Sequence, residues 1–211
     1  MRVTAIGVCS IFALWVNAAG TAADPKAKLV ETLNALKMEA GSMRGRQRGI
    51  HLQLDSIDKS LAYFKNRVGS WQPTGPGEAQ ALQEGLEADL KALRSFSTDR
   101  TRTVQMAEAV AEDLSIKVEH CQKTGLAAMI TARVRTFRDG KEVTGLEVFY
   151  MPKIRELFQN AEPDRFPALS AAEQRLAAGR YVFWAGNGVP KRATVVLGMG
   201  ASQTPIDLVV P

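Results

Sequence analysis

The sequence contains only two cysteines and two histidines, and it has no long hydrophobic run beyond its first residues. Cys9 lies in the N-terminal apolar segment, so removal of that segment would leave Cys121 alone and no intrachain disulfide could form. No later stretch approaches the roughly 20 apolar residues that a membrane-spanning helix requires. The fold must therefore be stabilised by packing, and a chain of 211 residues is long enough to bury a core.

The usual patterns of catalytic and metal-binding residues are also missing. His120 adjoins Cys121, but neighbouring residues on a helix point about 100° apart and do not share a target. No Cys-x-x-Cys or His-x-x-x-His spacing is present, and no nucleophile elbow or triad motif occurs. The glycine pairs at 186–188 and 198–200 lack the lysine and the helix of a phosphate loop. The sequence thus predicts no catalytic residue, no metal and no cofactor.

Neighbouring carboxylates occur, but they have no companion base or nucleophile in the sequence. The pairs Glu112-Asp113 and Glu162/Asp164 are interpreted as parts of a charged, solvated helical face. A hydrolase with an unfamiliar site in the polar segment 152–178 stays open as a less favoured alternative. The protein is therefore predicted not to be an enzyme.

Residues 1–23 have the layout of a secretory signal peptide. Arg2 supplies a positive charge, Val3–Val16 is apolar, and small residues follow up to Ala23. Cleavage after Ala23 would start the mature chain at Asp24. Lipidation of Cys9 is an alternative, although the residue before it is larger than lipoprotein signals place there. The expected location is the periplasm or the extracellular space.

The charge of the chain is unevenly distributed. The formal net charge is +5, with 27 basic and 22 acidic residues. Residues 24–71 hold nine bases and five acids, whereas residues 78–121 hold five bases and nine acids. This opposition indicates attraction between neighbouring helices, although exposed pairs contribute little each. A basic balance can suggest nucleic acid, but export argues against that partner.

The first half of the chain has the apolar pattern of long helices. Two prolines and two glycines within residues 72–77 then interrupt it. We therefore predict helices at about 26–71 and 78–122, folded back as an antiparallel, coiled-coil-like hairpin over residues 24–124. The first apolar series is Leu29, Leu33, Leu36, Ala40, Met43, Gln47, Ile50, Leu54, Ile57, Leu61, Phe64, Val68 and Trp71. The second is Leu82, Leu86, Leu90, Leu93, Phe96, Ala107, Val110 or Ala111, Leu114, Val118 and Cys121.

Two features interrupt this pattern. Folding back at residues 72–77 would place Gln47 and its neighbouring arginines near Arg102, as a polar layer that sets register or binds a partner. Gly41, Gly45 and Gly49 recur every four residues away from the seam, and each costs a helix about 1 kcal/mol relative to alanine. They indicate either close docking of another backbone or an interrupted helix.

The second half has the pattern of strands. From Ala128 to Arg135 apolar and polar residues alternate, as in a half-buried strand. Asp139-Gly140 predicts a hairpin turn, after which Val143 to Met151 returns as a strand. Further strands are predicted at Arg180–Ala185, Ala193–Leu197 and Ile206–Val210. Short strands separated by turns favour a β-sandwich over residues 125–211, and hence an α+β protein.

The residues of this half resemble a known group of domains. The run Arg138 to Tyr150, then Leu176 to Trp184, then Val195 to Gly198 and a terminal Ile206 to Val210 is similar to transthyretin-like and carboxypeptidase-regulatory-like domains. The resemblance implies a seven-stranded, immunoglobulin-like sandwich that acts as a non-catalytic accessory or adhesive module. It supplies no active-site residues. Its usual middle strand is replaced here by residues 152–178, which are polar and helix-leaning, so the strand count stays open.

Aromatic residues on the predicted strands offer one binding hypothesis. Tyr150, Tyr181 and Trp184 could stack on a sugar or grip a peptide if they are exposed. Alternation places Tyr181 and Trp184 on opposite faces of a strand, so one of them belongs to the core. The leading interpretation is an exported envelope protein that binds a protein partner or itself through a helical arm and the sandwich. The alternative is a module that binds cell-wall glycan through these aromatics.

Overall fold

The computed structural model describes residues 24–46, 49–72, 76–95, 100–126, 129–158, 160–186, 191–198 and 205–211. The expected signal peptide and Cys9 lie outside these residues. Four helices come first: α1 (Pro25–Arg46), α2 (His51–Val68), α3 (Pro76–Arg94) and α4 (Arg100–Thr124). Eight strands follow, β1 (Ile130–Arg138), β2 (Lys141–Val143), β3 (Val148–Pro152), β4 (Asp164–Arg165), β5 (Ala172–Leu176), β6 (Gly179–Ala185), β7 (Ala193–Leu197) and β8 (Ile206–Val209). A short 3₁₀ helix, Lys153–Leu157, follows β3. The protein is therefore α+β, as predicted.

The apolar series of the helices is buried as the sequence predicts. Every described residue of the first series is buried except Trp71, which is half-buried. The leucines of α3 and the predicted core positions of α4 join them in one cluster that all four helices share. The helical core thus follows directly from the 3,4 spacing, because that spacing puts these side chains on one face of each helix.

The prediction of two long helices is wrong. α1 ends at Arg46, α2 begins at His51, and these two helices pack against each other rather than continuing as one. Gly49, between them, has a φ of 98°, which is outside the helical region and favours glycine. α3, which ends at Arg94, and α4, which begins at Arg100, are likewise two helices rather than one. α1 packs on α2 and α3, and α4 packs on α2 and α3, so the four helices form a bundle rather than a projecting arm.

The structure also differs from what the sequence predicts for the polar layer and the glycine stripe. Arg44 pairs with Asp55 and Asp58 of α2, each at 2.8 Å, and so ties the α1–α2 turn. Gln47 lies outside the described residues. A Cβ added at Gly41 or Gly45 would meet open space, so no backbone docks there. The stripe therefore ends in a helix interruption at Gly49 and is not a packing face.

The strands form two four-stranded sheets. In the first sheet β1 pairs antiparallel with β2 and β5 and parallel with β8. The second sheet has the order β4-β3-β6-β7, with every pair antiparallel. The predicted turn between β1 and β2 is confirmed: Asp139 and Gly140 both have positive φ, 50° and 75°, as a two-residue hairpin turn requires.

One predicted strand is divided between the sheets. The stretch Val143 to Met151 leaves the first sheet after Val143 and enters the second at Val148. Between them the backbone of Gly145 and Leu146 exchanges hydrogen bonds with Ser170, at 2.9 and 2.8 Å. The helix-leaning segment 152–178 holds the 3₁₀ helix, β4 and β5. The apolar alternation shifts by one position here, from Val143 to Leu146 and Val148, and Gly145 between them has a φ of 83°.

The two sheets and the helical bundle contribute side chains to each other's hydrophobic cores. Side chains from both sheets share one hydrophobic cluster, which also includes Ile116 of α4. In the other direction, Ile154 of the 3₁₀ helix is buried in the helical cluster, and Leu157 and Phe158 pack against it. No helix among the described residues is long and apolar enough to cross a membrane.

Candidate functional site

A cleft runs between α3 and the second sheet. Its larger part has a volume of about 680 Å³ and its smaller part about 230 Å³. The two parts are continuous, because they share the same five central residues: Glu84, Ala88, Tyr150, Arg155 and Asp164. The cleft is thus an elongated groove rather than a closed cavity.

The spacing on α3 explains the length of the groove. Gly77, Ala81, Glu84, Ala88 and Lys91 all line it, and steps of three and four residues keep them on one helical face. At a rise of 1.5 Å per residue this face extends for about 20 Å. Three of these residues are small and two are charged. The groove can therefore hold an extended chain of several units.

The opposite wall is charged and largely held in place. Arg155 Nη1 is 2.5 Å from Asp164 Oδ2, and its other amino group donates to the carbonyl of Glu162. Lys91 Nζ lies 5.1 Å from the ring centre of Phe158, which is a cation–π distance. This wall therefore offers fixed hydrogen-bonding groups beside an aromatic ring.

Tyr150 stands at the centre of the groove. Its ring is half-buried and packs edge-on against Phe166, with centroids 5.3 Å apart. Burial raises the pKa of the Tyr150 hydroxyl, and the charges of Asp164 and Glu84 raise it further. The hydroxyl is therefore a protonated donor at neutral pH in a region of negative potential. Of the three aromatic residues named from the sequence, Tyr150 is the one that the open groove exposes.

Tyr181 and Trp184 have other surroundings. Tyr181 is buried at the back of the smaller part of the cleft, where its hydroxyl donates to the carbonyl of Ala177 at 3.1 Å. Burial strongly raises the pKa of this hydroxyl. Trp184 is buried on the other face of β6, stacked on Phe149 and under the guanidinium of Arg192. The structure therefore brings Tyr150 and Tyr181 to one site and separates Trp184 from them.

A buried ion cluster lies behind the cleft. Lys117 of α4 is 3% exposed, and its Nζ is 3.1 Å from Oδ2 of Asp89, which is fully buried on α3. The same Nζ contacts Oδ2 of Asp113, one turn earlier on α4. One ammonium group is therefore enclosed by two carboxyl groups.

The two carboxyl groups have different environments. Asp113 Oδ1 accepts a hydrogen bond from the backbone N–H of Arg180 at 3.2 Å, so both of its oxygens are engaged. Asp89 Oδ1 is buried without a hydrogen-bond partner among the described residues. Burial raises the pKa of Asp89 to about 6, against the lowering effect of Lys117. Asp89 is thus the group that takes up a proton in mildly acidic solution.

Two glycines make room for this cluster. A Cβ added at Gly85 of α3 would lie 2.9 Å from Cε of Lys117. At Gly179, the first residue of β6, it would lie 3.0 Å from Asp113 Oδ1. The lysine and the aspartate can approach α3 and β6 so closely because these positions have no side chain.

Sequence reasoning missed the cluster and misjudged one of its members. Asp113 was expected on a solvated face, but it is buried, because β6 and α3 cover that side of α4. Glu162 and Asp164, also expected on a helical face, lie on the cleft wall. One signal was available: Asp89 lies three residues after Leu86 and four before Leu93, and Asp113 lies three residues after Val110, so both share a helical face with apolar residues. Charged residues so close to a seam are candidates for burial.

The remaining candidate residues, Cys121 and His120, are both buried. Cys121 is buried in the helical cluster, as predicted, and His120 is buried where Gly198 approaches it. Among the described residues, no group of three or more His, Cys, Asp or Glu side chains is placed to hold a metal ion. Comparison of the chain with protein-family models, curated proteins and solved structures found no match.

Proposed function

We propose that this chain is an exported, non-catalytic binding protein whose ligand occupies the cleft between α3 and the second sheet. The observation that carries the proposal is the cleft itself, about 680 Å³ in its larger part, with Tyr150 at its centre. Ligand sites are typically concave surfaces with a few convergent polar groups. Export is supported by the position of Asp24, which caps α1 by accepting a hydrogen bond from the N–H of Lys26 at 3.0 Å. Cleavage after Ala23 would leave this cap intact.

The chemistry of the groove favours a cell-wall glycan as the ligand. The carboxylates of Asp164 and Glu84 can accept paired hydrogen bonds from vicinal hydroxyl groups, and the guanidinium group of Arg155 can donate a pair to ligand oxygens. The rings of Tyr150 and Phe158 provide apolar surface for the face of a sugar. A groove about 20 Å long matches several sugar units in a row. These properties favour the glycan alternative over a protein partner bound through a helical arm.

Blocking the groove tests the proposal. Ala88 is half-buried and lines both parts of the cleft, so Ala88→Arg fills it from the helix without removing a core side chain. The purified chain should sediment with peptidoglycan sacculi, and Ala88→Arg should weaken this binding at least about tenfold, or about 1.4 kcal/mol. Tyr150→Phe, which removes one donor, should weaken it less.

The matched control is Ala62→Arg, an exposed alanine of α2 on the other side of the bundle. It adds the same charge and bulk and should bind as the parent does. Equal sedimentation of Ala88→Arg and Ala62→Arg would place the glycan elsewhere. No sedimentation of the parent chain would refute a peptidoglycan ligand.

We propose further that the two sheets form a sandwich of the transthyretin-like type. The support is the shared core of the two sheets, the Asp139-Gly140 hairpin and the Gly179-x-Tyr181 strand at the centre of the second sheet. An experimental structure with a strand order other than that of transthyretin-like domains would refute this assignment.

A further inference from the structure

The buried ion cluster contains a nucleophile, an electrophile and a base in contact. Lys117 Nζ lies between the carboxyl groups of Asp89 and Asp113, and all three side chains are at least nine-tenths buried. Two carboxyl groups face one ammonium group, so the cluster is electrically unbalanced unless one of them holds a proton. Buried charges are costly, and a reaction that converts the ammonium group and the remaining carboxylate into neutral groups removes that cost.

We propose that Lys117 and Asp89 join in an intramolecular amide bond, so that a covalent link connects α4 to α3. The cleft function does not depend on this bond.

The reaction balances without a further reagent. Asp113, whose Oδ2 contacts Nζ, accepts a proton from the Lys117 ammonium group and leaves a neutral amine. The amine nitrogen attacks Cγ of protonated Asp89, the C–N bond forms, and the C–O bond to the hydroxyl breaks. The hydroxyl leaves as water with a proton relayed from nitrogen through Asp113, which ends protonated. One ammonium, one carboxylate and one carboxylic acid become one amide, one carboxylic acid and one water.

The surroundings assign the two carboxyl groups these roles. Asp89 is the electrophile because its burial keeps it protonated to higher pH than an ordinary aspartate, and a neutral carboxyl is attacked more readily than a carboxylate. Asp113 is the base because its other oxygen is held by the N–H of Arg180. Gly85 lets the lysine stem lie against α3, which keeps the amine beside Asp89.

Mass spectrometry of the purified, folded chain tests the proposal directly. The intact mass should be lower by one water than the mass calculated between the determined termini. Trypsin should then release a branched peptide in which residues 68–91 are joined to residues 103–123, because the acylated Lys117 is no longer cleaved. Lys117→Arg and Asp113→Asn should both have their calculated masses.

The control is Lys123→Arg. Lys123 forms an ion pair with Glu119 at the same spacing on α4, but both groups are exposed, so this variant should still lose one water. A parent mass equal to the calculated value would overturn the proposal, whether or not the variants fold. Loss of water located within residues 103–123 alone would also overturn it, since it would place the bond on Asp113.

Discussion

At the scale of single residues, the ammonium group of Lys117 can balance the charge of only one of the two carboxyl groups beside it. Before the amide bond forms, the Lys117 side chain is 3% exposed and its ammonium group contacts both Asp89 and Asp113. Because water is excluded, neither carboxylate can be solvated, and Asp89 responds by taking up a proton at a pKa of about 6. Removal of the ammonium group must then raise the pKa of Asp89 further, because Lys117 is the group that lowers it.

This predicts a pH-dependent loss of stability in Lys117→Met, which keeps the length of the apolar stem, removes the ammonium group and cannot form an amide bond. A carboxyl group whose pKa is raised on folding stabilises the native state below its unfolded pKa, and this contribution is lost as the pH rises through its folded pKa. We expect the stability deficit of Lys117→Met relative to the parent to be about 3–5 kcal/mol larger at pH 8 than at pH 5, the usual cost of an unpaired buried charge. Most of this loss should be recovered below pH 6, as measured by urea unfolding.

The comparison variant is Lys59→Met, an exposed lysine in the middle of α2. It should differ from the parent by less than about 0.5 kcal/mol at every pH, since surface substitutions rarely exceed that value. A Lys117→Met variant with the same deficit at pH 5 and pH 8 would show that packing of the lysine stem or loss of the covalent link, and not charge, accounts for its cost.

At the scale of secondary-structure elements, the helices contain glycines of two kinds. Gly41 of α1 faces open space, whereas the space beside Gly85 of α3 is filled by Lys117. Helix propensity alone treats the two alike, with a gain of about 1 kcal/mol for alanine at either site. The contacts of the added methyl group decide the sign at each position.

We therefore expect Gly41→Ala to stabilise the protein by about 1 kcal/mol, and Gly85→Ala to destabilise it. At Gly85 the methyl group would lie 2.9 Å from Cε of Lys117, whose ammonium group is held by two carboxyl groups and cannot simply move away. Overpacking typically costs about 1–3 kcal/mol, which offsets the gain in propensity. The midpoint of thermal unfolding should rise for the first variant and fall for the second. A rise for both would mean that the lysine is not fixed.

The same elements show where sequence reasoning succeeds and fails. Periodicity identified the buried faces of all four helices and the strands β1, β6, β7 and β8, because burial repeats with the backbone geometry. It did not reveal that α1 and α2 are separate helices, because the apolar spacing continues across Gly49. The cleft and the ion cluster were beyond its reach. The cleft is formed by α3 with strands more than 50 residues away, and the ion cluster by α3, α4 and β6, so tertiary packing alone brings their residues together.

At the scale of the whole molecule, the helical and strand-rich halves exchange core residues. Ile116 of α4 is buried in the core of the sheets, and Ile154 of the 3₁₀ helix is buried in the core of the helices. Across the same boundary Arg180 forms an ion pair with Glu112 and donates its backbone N–H to Asp113. Neither half can lose its structure without leaving an apolar side chain of the other uncovered.

We therefore predict that the two halves unfold in a single transition. Trp71 packs against the helical cluster and Trp184 lies in the second sheet. In one variant Trp184 is replaced by Phe, in the other Trp71 is, and Trp15 is replaced in both. The fluorescence of each variant then reports on one half of the protein. The two fluorescence midpoints in urea should coincide, as two-state unfolding requires. Ile154→Ala should lower both midpoints together and reduce the free energy of unfolding by about 2–5 kcal/mol, although Ile154 belongs to the strand-rich half. An earlier midpoint at Trp71 alone would mean that the bundle unfolds independently, and that the cleft between the halves opens before the sheets are lost.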